Sequence, residues 1–279
     1  MEFMRLKAAL HQGSQLLEDG AVPSARLTAE VLLCHALGRE RAWLYAHSEE
    51  ELTETAWIHY GRYLHQRLKG EPLQYITGRQ EFYGRPFFVS PDVLIPRPET
   101  EHVVEIALAR APQARHAIDI GCGSGAIAIT WALERDQPVI ATDISNAALL
   151  VARKNSMQLG ARVDWVACDL ASALPGGRFD LVMSNPPYIP EHERESLQKE
   201  VRDHEPALAL FGGPTGVEIY APLFADARRL LRPGGMLVVE IGYQSEGAVR
   251  AMLDAGWCGI EVAQDLAGWP RVISAQRTD

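Results

Sequence analysis

Cysteine is scarce in this 279-residue chain, and the few cysteines do not cluster. They are Cys34, Cys122, Cys168 and Cys258, and the nearest two, Cys122 and Cys168, stand 46 positions apart. No pair has the short spacing of a zinc site or a redox dithiol, and no disulfide framework can be drawn, which suits a reducing compartment. Long apolar runs are missing too: none approaches the ~18 residues of a membrane span. The first ten residues, MEFMRLKAAL, mix charge with apolar side chains and hold no apolar core of a secretion signal. A cytoplasmic location is therefore expected. Positive charge is also in deficit. Lys and Arg number 27 against 36 Asp and Glu, a net charge of −9, with no basic run. Duplex-binding proteins usually present a basic face, so neither a tightly held nucleic acid nor a membrane is expected as partner. Internal repeats and low-complexity tracts are absent. An apolar share of 47% and a charged share of 23% then describe an ordinary globular chain, long enough to bury a core without staples.

The first ~70 residues read as helices. In SARLTAEVLLCHALG, Ala29, Leu32, Leu33, Ala36 and Leu37 fall on one helical face, and Gly38 is a suitable stop. A further helix is expected from Thr53, a good N-cap, with Trp57, Tyr60, Leu64 and Leu68 on one stripe and Gly70 and Pro72 ending it. Residues 1–72 are thus expected to form a helical domain. Residues 73–97 are rich in aromatic, β-branched, Gly and Pro residues and read as a hairpin connector around Gly84. From residue 98 to 279 the pattern alternates. Strands are expected at Ala117–Ile120, Val139–Thr142, Val163–Val166, Leu181–Ser184, Met236–Ile241, Ile260–Ala263 and Val272–Ala275, with a turn at Arg232-Pro233-Gly234-Gly235. Short apolar strands separated by helices specify a mostly parallel α/β sheet covered on both faces. The last two strands lack a helix between them, which implies an antiparallel edge.

Four motifs point to chemistry. Ala117–Ile120 runs into Gly121-Cys122-Gly123-Ser124-Gly125 and then a helical segment. Glycines there let the backbone turn sharply and let a ligand approach it. Alone this reads equally as a plain loop, and Cys122 as a small filler with no histidine partner nearby rather than a nucleophile. Asp143 ends the next strand, ~20 residues on, where a carboxylate can take both hydroxyls of a ribose or else cap the following helix. Asp169-Leu170 follows the third strand. It offers an acceptor and an apolar face to an adenine, or is a solvated loop. The deciding motif is Asn185-Pro186-Pro187-Tyr188 at the carboxyl end of the strand Leu181–Ser184. Two prolines remove two N–H donors and leave carbonyl acceptors, Asn185 adds a side-chain acceptor, and Tyr188 adds a flat face. That constellation suits a planar, neutral –NH₂ group. An amide side chain and the exocyclic amine of a DNA or RNA base both qualify.

Gly121–Gly125, Asp143 and Asn185–Tyr188 resemble the class I S-adenosylmethionine-dependent methyltransferases that modify amino or amide nitrogens. Three further stretches narrow the resemblance. They are Tyr75–Gly84 (YITGRQEFYG), Ile95–Glu101 (IPRPETE) and Val239–Gln244 (VEIGYQ). With the helical N-terminal segment, these are similar to the PrmC/HemK family of peptide chain release factor glutamine N5-methyltransferases. The resemblance implies a seven-stranded Rossmann-like methyltransferase sheet joined by a β-hairpin to a small helical domain that recognises substrate. It implies S-adenosyl-L-methionine as cofactor, S-adenosyl-L-homocysteine as product and no metal. It implies, as protein substrate, the Gly-Gly-Gln glutamine of class-one release factors. The implied cofactor residues are Gly121, Cys122, Gly123, Ser124, Gly125, Asp143, Asp169, Leu170 and Asn185. The implied catalytic residues are Asn185, Pro186 and Tyr188, with Pro187 joining them around the substrate. Leu170 departs from the family, which often has an aromatic residue there. Arg97 and Glu99 are either a structural ion pair or part of the site.

Overall fold

The computed structural model describes residues 4–279. Met1–Phe3, which belong to both the N-terminal segment read against a secretion signal and the expected helical domain, lie outside the described residues. In chain order the elements are α1 (Leu6–Asp19), α2 (Ala25–Leu37), α3 (Arg41–Ala46), α4 (Glu54–Leu68), α5 (Leu73–Thr77), β1 (Arg79–Phe82), β2 (Arg85–Phe88), α6 (Glu101–Arg110), β3 (Ala117–Ile120), α7 (Ala126–Arg135), β4 (Val139–Asp143), α8 (Asn146–Leu159), β5 (Val163–Ala167), β6 (Phe179–Ser184), α9 (Lys199–His204), α10 (Ala207–Leu210), α11 (Tyr220–Leu230), β7 (Leu231–Glu240), α12 (Glu246–Ala251), β8 (Trp257–Gln264) and β9 (Pro270–Arg277). Two compact units result. One comprises the chain up to Gly78 together with Gln198–His204, and the other Arg79–Leu197 with Glu205–Asp279. Among the described residues no helix is long and apolar enough to cross a membrane.

The first unit is helical. Leu6, Ala9, Leu10 and Leu17 of α1, Ala29, Leu32 and Leu33 of α2, and Tyr60 and Leu64 of α4 meet in one core. Helix ends follow the sequence signals. Gly38 takes the left-handed conformation after α2 (φ 63°), and the Thr53 hydroxyl accepts from the Ala56 N–H at 3.3 Å to cap α4. Trp57 departs from the expected stripe and is exposed, because one turn of α4 presents Ala56 and Tyr60 to the core instead. Buried Glu30 is surrounded by Arg26 at 3.2 Å, Arg41 at 2.7 Å and the Tyr45 hydroxyl, so its charge is compensated.

The second unit opens with the hairpin β1–β2, whose two turn residues Tyr83 and Gly84 both have positive φ (51° and 68°), the geometry of a type I′ turn. A seven-stranded sheet follows in the order β5-β4-β3-β6-β7-β9-β8. β5, β4, β3, β6 and β7 run parallel, while β9 is antiparallel to both β7 and β8. This is the α/β, Rossmann-like class that the alternating pattern and the resemblance specified. One apolar cluster packs α6, α7 and the hairpin on one face, and a second packs α11 and α12 on the other. The Arg232-Pro233-Gly234-Gly235 turn does not precede its strand as expected but bulges within it. Leu231 pairs with Phe179 and Met236 with Leu181, so the turn, exposed at residues 232–234, loops out of a ladder whose ends stay paired.

Candidate active site

β3 and β6 are neighbours, and chain connections leave them in opposite directions along the sheet. Ligands in open α/β sheets bind at such a switch point, beyond the carboxyl ends of the strands. The glycine loop leaves β3 there and Asn185–Tyr188 leaves β6 there. They open onto one cavity of about 240 Å³, all of whose lining belongs to the second unit. Gly121, Cys122, Gly123, Ser124, Asp143, Asp169, Leu170, Asn185, Pro186 and Pro187 line it, joined by Thr100, by Asp92, Val93, Leu94 and Pro96 of the connector, and by Pro206, Leu208 and Ala209. Gly125 and Tyr188 are the two expected site residues that do not.

The loop is built by backbone bonding. Gly121 and Cys122 both donate to the Thr142 carbonyl at 2.9 Å, which lashes the start of the turn to β4. Gly121 and Gly123 have φ of 74° and 53°, and a side chain added to either would project into open space. That space is the cradle a ligand can enter. Gly125 is glycine for another reason. Its φ is 81°, and a Cβ there would sit 2.9 Å from both Ile129 and Trp165. Because Gly125 occupies the N-cap of α7 without a side chain, buried Asp119 supplies the missing acceptor, taking the Ala128 N–H at 3.1 Å. Burial pushes the Asp119 carboxyl up to about 7, nearby Asp143 adds to the rise, and the Ala128 bond opposes it. Cys122 is buried and its thiol is pushed well above the usual range by burial, as befits a filler.

Asp143 is not the helix cap. Ser145 caps α8 by accepting from the Ala148 N–H at 3.2 Å. The Asp143 carboxylate instead takes the Gly123 N–H on one oxygen and the Ser145 N–H on the other, each at 2.8 Å. It is half-buried at the cavity wall with lone pairs left over. Asp169 is exposed, and Leu170 holds a left-handed φ of 45°, a strained conformation for a non-glycine residue.

Around Asn185 the structure holds a network that sequence reasoning missed. Asn185 Nδ2 lies 3.0 Å from the Thr100 hydroxyl, which donates to Glu240 Oε2 at 2.6 Å, and the Tyr188 hydroxyl donates to Glu240 Oε1 at 3.1 Å. Tyr220 donates to the Glu240 carbonyl at 3.1 Å. Tyr188 thus serves this carboxylate rather than walling the cavity, since a buried phenol needs a polar partner. Burial pushes Glu240 up to about 7, the Thr100 and Tyr188 bonds and the Arg271 charge oppose that, and Glu99 reinforces it. A second missed residue is buried Asn155. It exchanges bonds with the Phe88 backbone at 2.7 and 3.0 Å and donates to the Ser124 carbonyl at 2.9 Å, tying the glycine loop to β2. Arg97 and Glu99 do not pair with each other. The Arg97 partner is buried Glu205, which also accepts from the Ile95 N–H at 3.2 Å. A signal for Glu240 existed in the Val239–Gln244 stretch, but a lone acid at the end of an apolar strand does not announce its partners.

Comparison with known proteins identifies the family. Residues 8–78 match the PrmC N-terminal domain and residues 101–204 the methyltransferase small domain. The chain is 44% identical to the release factor glutamine methyltransferase of Koribacter versatilis over 278 residues, covering 98% of this chain and 99% of that one. This chain belongs to the release factor glutamine methyltransferase family. The corresponding protein of Moorella thermoacetica is also 44% identical, over 99% of this chain and all of its own length. A methyltransferase from Pyrococcus furiosus shares the fold at a TM-score of 0.55 and 18% identity, over 71% of this chain and 91% of its own. The family members are methyltransferase enzymes.

Proposed function

We propose that the enzyme transfers a methyl group from S-adenosylmethionine to the side-chain amide nitrogen (N5) of the glutamine in the Gly-Gly-Gln motif of class-one peptide chain release factors, breaking the S–CH₃ bond, forming N–CH₃ and releasing S-adenosylhomocysteine and one amide proton. The observation that carries this reading is the opening of Asn185 and Pro186 onto the same cavity as the glycine cradle and Asp143.

The residues present fit the cofactor. Gly121 and Gly123 leave room that any side chain would fill, and Asp143 keeps free lone pairs beside them. Asp143 would hold the ribose hydroxyls, Asp169 and Leu170 the adenine, and Gly121–Gly125 with Asn185 the remainder. Gly125 acts from behind, by shaping the turn. When bound, the cofactor supplies an electrophilic methyl group on a sulfonium. The chain's own residues do the rest. An amide nitrogen is a weak nucleophile because its lone pair is delocalised. The Asn185 side-chain oxygen and the Pro186 carbonyl would each accept one of its hydrogens. Positioning of this kind can supply ~7–11 kcal/mol in favourable cases. Acceptors that strengthen as positive charge grows on nitrogen add electrostatic stabilisation. Pro187 shapes the turn, and Tyr188 acts through Glu240.

The helical segment 1–72 is the part proposed to recognise the protein substrate, with 73–97 as connector and 98–279 as the methyltransferase domain. A cytoplasmic location suits that partner, and a net charge of −9 gives no basis for a tightly held nucleic acid. A base amine remains the chemical rival of the glutamine amide, and the kinship to glutamine methyltransferases favours the amide. Mass spectrometry of release factor incubated with the enzyme and S-adenosylmethionine tests the proposal. A gain of one methyl group on the peptide containing Gly-Gly-Gln is expected. Methylation of nucleic acid and not of release factor would overturn it.

A further inference from the structure

The direction of a hydrogen-bond chain decides which atom of an amide faces a substrate. The Thr100 hydroxyl carries one proton. At pH 8, above the value of about 7 to which burial pushes it, Glu240 is ionised and can only accept, so that proton goes to its Oε2, 2.6 Å away. The Tyr188 hydroxyl gives its proton to the other oxygen, Oε1. Only lone pairs then remain on the Thr100 oxygen toward Asn185, 3.0 Å off, and an amide meets a lone pair with its NH₂ group. The Asn185 oxygen is thereby turned away from Thr100. Thr100 is 4% exposed and Glu240 1%, so water does not compete for these bonds. Which end of an asparagine is nitrogen follows from its hydrogen-bond network, and here the network has one consistent direction.

We propose that Thr100 and Glu240 are positioning residues that lock the Asn185 side-chain amide with its oxygen toward the substrate, so that the site accepts an –NH₂ group and disfavours an acceptor such as a carboxylate. The assignment of a glutamine substrate underlies the selectivity. The lock itself does not depend on that assignment. A reversed Asn185 would set its own NH₂ against the substrate's NH₂, donor against donor.

Two measurements test this. The first is single-turnover methylation of release factor at pH 8, with saturating S-adenosylmethionine, by wild type, Thr100→Val and Thr100→Ser. Valine keeps the shape but neither donates nor accepts. It is expected to lower the rate roughly tenfold or more, because the half-buried Asn185 amide is then free to turn its NH₂ toward the cavity, while serine restores it to within about threefold. Affinity for S-adenosylhomocysteine should fall by less than the rate does in Thr100→Val, because Asp143, proposed to hold the ribose, is untouched. A wild-type rate for Thr100→Val, or Thr100→Ser as slow as valine, would overturn the lock. The second measurement needs no substrate. In the ¹⁵N-labelled enzyme, the Asn185 side-chain NH₂ signal, identified by its loss in Asn185→Asp, should show one proton protected from solvent exchange. Thr100→Ser should keep that protection. An unprotected pair in the wild type would overturn the lock even if Thr100→Val does not fold. A protected pair in an enzyme that leaves release factor unmethylated would uphold the lock and overturn the substrate assignment.

Discussion

Asp143→Ala separates a job the Asp143 carboxylate performs in the fold from one proposed for it. Its oxygens accept from Gly123 N–H and Ser145 N–H at 2.8 Å each, so it shapes the glycine turn. Its remaining lone pairs are proposed to take two ribose hydroxyls. Charge-assisted bonds of that kind are worth ~1.5–3 kcal/mol apiece, a gross loss of about 3–6 kcal/mol. Asp143 is half-buried, and water replaces part of what is removed, so about 3 kcal/mol is expected to survive as lost affinity. That corresponds to a roughly hundredfold weaker Kd for S-adenosylhomocysteine in calorimetric titration. The orphaned Gly123 and Ser145 amides lie in turns that solvent can reach, so the cost in stability should be smaller, about 1 kcal/mol in thermal unfolding. Asp143→Asn sharpens the test. It keeps an acceptor for one backbone amide but loses the charge, and should fall between wild type and alanine in affinity while melting near wild type. An unchanged Kd for Asp143→Ala alongside a lowered Tm would refute the ribose assignment and leave Asp143 as a staple of the loop.

Three further outcomes are expected. Asn185→Ala should slow single-turnover methylation of release factor by ~10²–10³, by analogy with the loss of one preorganised polar group, and a rate near wild type would remove Asn185 from the reaction. Asn185→Asp shows whether charge or geometry matters more, since a rate above that of alanine means charge. Gly125→Ala should destabilise by about 1–3 kcal/mol, because φ is 81° and the new methyl meets Ile129 and Trp165 at 2.9 Å; an unchanged Tm would show that the loop relaxes freely. Buried Asp119 and Glu240 are both pushed up to about 7 in the fold, above their ordinary values of 3.8 and 4.5. The unfolded chain therefore releases these protons first as pH rises. The stability that the neutral forms retain is whole below pH ~4 and falls away up to about pH 7, by of order 3 kcal/mol per group. Asp119→Asn should flatten the fall in Tm between pH ~4 and ~7, and an identical slope in the variant would refute that origin.

Periodicity determined the α/β class and composition the hairpin at Gly84, because burial on two faces writes continuous apolar strands and glycine suits a turn with positive φ. The glycine loop, Asp143 and the Asn185 turn were also readable, since each puts unusual residues directly after a strand and the chain itself carries them to the carboxyl edge. The bonding partners were not. Thr100 and Glu240 are separated by 140 positions from each other, and Asn155 lies 67 from Phe88, so nothing local marks them as neighbours. Tyr188 looked like a cavity wall by composition, and only packing showed its hydroxyl turned to Glu240. Arg97 and Glu99 read equally as an ion pair or as part of the site, yet the partner of Arg97 is Glu205. The insertion of β9 between β7 and β8 was equally hidden, because a hydrophobic strand records how much of it is buried and not which strand lies beside it. Sequence sets the local conformation and the type of chemistry. Pairing across the sheet, and the direction in which a buried polar chain passes its protons, exist only once distant segments have met.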